Sequence, residues 1–129
     1  MNSGDRRGMT AHRELVRRAW PVFREAARMR RTISYSELAG LVGPPLHARH
    51  LHRQLLNALS ARCRRCALPD LSALVVRKDS GLPGAGWYGP EEGGDPDRRW
   101  AEAVEACFRF PWPKQPDPRL LDDPGADTS

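Results

Sequence analysis

The stretch I33-S-Y-S-E-L-A-G-L-V-G-P-P45 leaves the chain few conformational choices. Ser34 stands three residues ahead of Glu37, the spacing of a capping box, in which the two side chains satisfy amide donors at a helix start. A helix therefore begins at Tyr35. Gly43 ends it after about two turns, and Pro44 and Pro45, which cannot continue a helix, make the turn. A longer helix is expected from about Leu46 to Arg62, with Leu51, Leu55, Leu56 and Leu59 facing the core. Two helices joined by a tight turn, the second bearing His47, Arg49, His50 and Arg53 near its start, form a helix-turn-helix.

The flanking segments extend this unit. From Thr10 to about Arg31 the apolar positions Leu15, Val16, Ala19, Trp20, Phe23, Ala26 and Ala27 follow helical spacing, and Pro21 is expected to kink or split the run. Thr32 and Ile33 are a short extended link. Leu71 to Arg77 reads as a buried strand from its Val and Leu content, Asp79 to Gly81 as a turn, and Gly84 to Gly89 as a glycine-punctuated loop or second strand carrying Trp87 and Tyr88. This hairpin is the wing of a winged helix-turn-helix. Asp95 and Pro96 open a last helix, in which Trp100, Ala103, Val104 and Cys107 keep helical spacing up to about Phe110. The expected fold is thus mainly α with a small β-hairpin, and Trp20, Phe23, Trp100 and Phe108 are assigned to its core.

A chain of 129 residues has room for one core. Residues 1–9 read as a disordered N-terminal tail, 10–110 as the domain and 111–129 as a Pro-rich acidic C-terminal tail. That tail is either a flexible arm or is fastened to the domain by Trp112, Leu120 and Leu121. No run approaches the roughly 20 apolar residues of a membrane helix, which excludes spanning. Met1 to Gly8 is polar and charged, without the apolar stretch of a secretory signal. The three cysteines are too few, and odd in number, for a disulfide framework. The expected location is the cytoplasm.

Charge is segregated along the chain. Residues 1–66 hold 14 arginines and no lysine against 4 acidic residues, whereas residues 67–129 hold 7 basic and 12 acidic residues. An arginine-rich genome would explain arginine replacing lysine but not this segregation. A basic half of this kind is the electrostatic footprint expected of a protein that meets a polyanion such as nucleic acid.

The segment from Ile33 to Leu51 resembles the DNA-binding part of the alkylguanine DNA alkyltransferases and the alkyltransferase-like proteins. The family pattern of an aromatic residue, Leu-Ala, Gly, Pro and Ala-Arg followed by an apolar residue is matched without a gap by Tyr35, Leu38, Ala39, Gly43, Pro45, Ala48, Arg49 and Leu51. The later stretch V75-V-R-K-D-S-G and the glycines up to GWYG are similar to the strand and loop that form the family's alkyl-base pocket. The resemblance implies that Arg49 inserts into the duplex in place of a flipped nucleotide, that Tyr35 works on the phosphate side, and that the helix approaches from the minor groove. A planar guanidinium can both fill the hole left by an extruded base and pair with the orphan base.

The departure is at the chemistry. Family enzymes carry a nucleophilic cysteine in Pro-Cys-His-Arg-Val-Val, and the corresponding stretch here is Leu71-Ser72-Ala73-Leu74, ahead of Val75 and Val76. A serine without a neighbouring histidine is not an activated nucleophile. Counting from Arg49 instead places Cys66 at the nucleophile's distance, but Ala67-Leu68-Pro69 follow it with no strand around them. The expectation is a non-enzymatic protein, with chemistry at Cys66 or Ser72 as the exception.

Cys63-Arg64-Arg65-Cys66, with His47, His50 and His52 upstream, offers the donor types of a zinc site. It lacks a second Cys-x-x-Cys or a finger-spaced His pair, and on a helix 46–62 the cysteines sit more than two turns from His47 and His50, so no metal or other cofactor is assigned. Flanking arginines would lower the thiol pKa and leave redox chemistry as the alternative. The DNA-binding candidates are Tyr35, Ser36, His47, Arg49, His50, Arg53, Arg62, Arg64 and Arg65. The base-pocket candidates are Ser72, Trp87 and Tyr88. The expected partner is duplex DNA, damaged or modified DNA included, with no membrane and no small-molecule substrate. The rival expectation is a winged-helix protein-interaction module in a repair, regulatory or defence assembly.

Overall fold

A computed structural model describes residues 3–83 and 95–121 of the chain. The first helix, α1 (Ser3–Arg28), begins inside the segment expected to be a tail and passes through Pro21 without a break. Pro21 is exposed, so water can satisfy the carbonyl one turn earlier, while Ala19, Trp20 and Phe23 are buried on either side of it. Burial of that face outweighs the cost of a mid-helix proline, about 3 kcal/mol.

β1 (Ile33–Ser34) leads into α2 (Tyr35–Val42), whose cap is the serine expected. Ser34 Oγ accepts the Glu37 amide at 3.1 Å. Gly43 closes the helix at φ +87°, a left-handed value that a residue with a Cβ rarely adopts, and its amide bonds back to Ala39. The second helix of the pair starts later than the spacing suggests and is irregular. It opens as a 3₁₀ turn (Ala48–His50), widens into a π turn (His52–Leu56) and becomes regular in α3 (Asn57–Arg65).

The next segment departs from the expected strand. Leu71–Leu74 is a 3₁₀ turn, because Asp70 Oδ1 accepts the Ser72 amide at 3.0 Å and winds the chain. Only Val75–Val76 is extended, as β2, and it pairs in parallel with β1, Ile33 opposite Val75 and Ser34 opposite Val76. β2 therefore belongs, among the described residues, to a two-residue parallel sheet with β1. The chain does turn at Asp79–Gly81, where the Arg77 amide reaches the Leu82 carbonyl at 2.8 Å and Gly81 has φ +70°. Gly84 to Gly89, with Trp87 and Tyr88, lies outside the described residues.

α4 (Pro96–Arg109) has Asp95 as its cap and Pro96 in its first turn. Trp20, Phe23, Leu38, Leu55, Leu59 and Leu74 form one continuous core. Trp100 and Phe108 pack against it half-buried.

Past α4 the chain is fastened across α1. Trp112 and Leu120 are buried, Trp20 Nε1 donates to the Pro113 carbonyl at 2.8 Å and Arg24 Nε to the Trp112 carbonyl at 3.1 Å. Farther along, Arg13 Nε reaches the Leu121 carbonyl at 3.2 Å. Of the two expectations for this segment, fastening holds through Leu121. Among the described residues no helix is long and apolar enough to cross a membrane.

Candidate nucleic-acid interface

The turn between α2 and the irregular helix is held by side chains from three directions. Gln54 clips it from the helix: its Nε2 donates to the Pro45 carbonyl at 2.8 Å, and its Oε1 accepts the His47 amide at 2.9 Å. Arg18 clips it from α1, with Nη1 reaching the carbonyls of Pro44 at 2.9 Å and Val42 at 3.3 Å. His47 caps the 3₁₀ turn, its Nδ1 accepting the Arg49 amide at 3.2 Å. Neither Gln54 nor Arg18 is legible as a functional residue in the sequence. Each reads as a surface position on a helix, and the carbonyls they hold are distant along the chain.

This framework presents one exposed strip. Arg49, Arg53, Asn57, Ala61 and Arg64 follow one another at steps of three or four residues and are all exposed, as is Arg65. From Arg49 to Arg64 the strip is about 22 Å long at a rise of ~1.5 Å per residue. No acidic residue occurs anywhere from Leu38 to Pro69. Elsewhere arginines are matched with carboxylates: Arg18 with Glu14, Arg28 with Glu25, and both Arg30 and Arg109 with Glu105. Those pairs hold the Glu105 carboxyl below the usual carboxylate range, with the Arg30 hydrogen bond the largest cause. Arg49, Arg53 and Arg64 form no ion pair with any described residue.

Arg62 does not belong to this strip. It is 3% exposed, and its Nη1 hydrogen-bonds His12 Nε2 on α1. The reason is helical geometry: position 62 follows Leu55 and Leu59 on the buried face. A guanidinium so placed cannot reach a phosphate, and the expectation for Arg62 is corrected accordingly.

At the other end of the framework Tyr35 starts α2, half-buried, and its hydroxyl lies 2.8 Å from His52 Nε2. Their rings are 5.5 Å apart. Burial holds the His52 pKa below its ordinary value, opposed by a side-chain hydrogen bond with Asn57, so the imidazole is neutral at pH 7. A neutral ring protonated on Nδ1 accepts the Tyr35 proton at Nε2. In the sequence His52 reads only as a metal donor, because a contact across 17 residues leaves no local signal. Ser36 is exposed in the first turn of α2, and the exposed rings of His47 and His50 lie 5.5 Å apart.

The remaining candidates separate from the strip. Ser72 is 3% exposed, and its Oγ donates to Asp70 Oδ1 at 2.6 Å. The same carboxylate takes the Ser60 hydroxyl at 2.6 Å, and Cys107 Sγ reaches the Asp70 carbonyl at 3.2 Å. Asp70 thus ties α3, the 3₁₀ turn and α4 together, with Ser72 buried at their junction. Trp87 and Tyr88 lie outside the described residues. Cys63 points into the core, away from the flanking arginines, and burial pushes its thiol up to about 12, the reverse of the shift expected for a reactive pair. Burial pushes Cys107 up as well. Cys66, half-buried, ends α3. No three His, Cys, Asp or Glu side chains converge among the described residues. An open depression of about 600 Å³ beside Glu102, Glu105 and Arg109 contains none of the candidate residues.

The chain matches no protein-family model, and neither a curated protein nor a solved structure shows significant similarity to it.

Proposed function

We propose that the protein binds duplex DNA without catalysing a reaction, through a winged helix-turn-helix whose second helix presents Arg49, Arg53, Arg64 and Arg65. What supports this reading is the exposed arginine strip within a stretch of 32 residues, 38–69, that contains no carboxylate. Three arginines that form no ion pair with a described residue, on one side of one helix, would each replace a condensed counterion on a phosphate, and that release is the main driving force of binding to a polyanion. The alkyltransferase resemblance adds a finer expectation. Arg49, exposed at the start of the helix, is the residue that would enter the duplex where a nucleotide is extruded, and Tyr35 is the residue that would work on the phosphate side. No chemistry is assigned to Cys66 or Ser72.

The test is fluorescence anisotropy with two short duplexes that differ only in one alkylated guanine, titrated across salt. Tighter binding to the modified duplex, lost in Arg49→Ala, is the expected result. Equal and steeply salt-dependent binding to both would reduce the reading to general DNA binding. No binding to either would favour the protein-interaction module, for which Leu41, 63% exposed on α2, is the supporting observation.

A further inference from the structure

His47 holds a position that charge alone does not explain. Its backbone is fixed on both sides: the amide donates to Gln54 Oε1 at 2.9 Å, and the carbonyl accepts the His50 amide at 2.9 Å. Its ring is fixed as well, because Nδ1 accepts the Arg49 amide at 3.2 Å. A backbone N–H can only donate, so Nδ1 carries no proton and a neutral ring must carry it on Nε2. The residue is exposed, and Nε2 has no partner among the described residues. The bond that caps the turn therefore sets the tautomer. It leaves an outward N–H donor two residues before Arg49 and beside the ring of His50, 5.5 Å away. The same bond argues against a metal at this ring, since coordination through Nε2 would need the proton moved to Nδ1 and the cap broken.

We propose that His47 is a neutral hydrogen-bond donor to a phosphodiester oxygen, and that it positions the duplex for Arg49 by direction and not by charge. The inference rests on the DNA-binding reading and deepens it. A neutral donor displaces no counterion, so it raises affinity without steepening the salt dependence, whereas each arginine on the strip does both.

The test compares wild type, His47→Ser and Arg64→Ala by anisotropy with a labelled unmodified duplex between about 50 and 200 mM salt. Serine keeps an oxygen able to cap the turn but ends far short of the Nε2 position. His47→Ser is expected to unfold at the wild-type midpoint. It is expected to bind about tenfold more weakly at every salt concentration, the range of one hydrogen bond to a charged group, on a line parallel to wild type. Arg64→Ala is expected to bind on a line shallower by about 0.9. Unchanged affinity in His47→Ser overturns the proposal, and so does a shallower line, which would make His47 a cation. If His47→Ser also melts lower, His47→Asn, another good cap without the Nε2 donor, must show the same parallel loss or the proposal fails. A wild-type protein that binds no duplex overturns the underlying reading, a result distinct from these.

Discussion

Arg62 and Arg64 stand two residues apart in one helix and belong to different parts of the molecule. Arg62 points inward to His12, while Arg64 faces water without an ionic partner among the described residues. Substituting each by alanine should therefore separate stability from binding. Arg62→Ala removes a buried side chain and strips His12 of a partner, so it is expected to lower unfolding free energy by on the order of 2 kcal/mol. It should leave the salt dependence of the folded fraction's DNA binding unchanged. Arg64→Ala is expected to change stability by less than about 0.5 kcal/mol and to make the salt dependence shallower. Denaturant titration and salt-dependent anisotropy on the same two variants read both effects, and a shallower salt line for Arg62→Ala would return that residue to the interface. In the sequence the two arginines look alike. Only the phase of the helix distinguishes them, and position 62 follows Leu55 and Leu59 closely enough for that phase to be read.

At the scale of elements, the Tyr35–His52 contact joins the first residue of α2 to the π turn of the following helix. Burial keeps His52 below its ordinary pKa of 6.5, so the folded protein resists the proton more than the unfolded chain does. The contribution of this residue is complete above about pH 6.5 and is lost as pH falls below that value towards the folded pKa. Protonation also removes the acceptor that Tyr35 uses. Thermal midpoints are expected to fall between about pH 7.5 and 5.5, and His52→Gln should flatten part of that fall. An identical pH profile in the variant would mean that the helix junction does not sense this proton. α2 itself was legible because each of its signals is local: Ser34 caps it, and Gly43 ends it with a left-handed backbone. The parallel pairing of β1 with β2 was not legible. Its partners are 42 residues apart, and a Val-Leu run that begins with an Asp70 cap gives the same hydrophobic reading as a strand. The arginine strip was largely legible, since its residues share one helix, but the side chains that hold its turn, Gln54 and Arg18, act on carbonyls that no sequence window contains.

Over the whole molecule the segment after α4 decides whether the core closes. Trp112 packs edge-on against Trp20 at 5.7 Å and beside Phe110 at 4.3 Å, and its indole N–H donates to the Cys107 carbonyl at 2.9 Å. It thereby covers the seam between α1 and α4 that the helices alone leave open. Among its described residues Arg119 pairs with Asp117 at 2.7 Å, and that pair holds the Asp117 carboxyl below its usual range. Its Pro118–Leu120 turn does pack against α3, but through Leu120, which is buried in the core. Stability and DNA affinity should therefore respond independently to it. Trp112→Ala is expected to cost about 3–5 kcal/mol, as for other buried aromatic truncations, and to lower the thermal midpoint by more than any strip substitution. At a temperature where the variant is still folded, its DNA affinity and salt dependence should match wild type. Circular dichroism melts paired with low-temperature anisotropy check both halves, and a loss of affinity in the folded variant would show that the seam between α1 and α4 sets the position of the helix that carries Arg49.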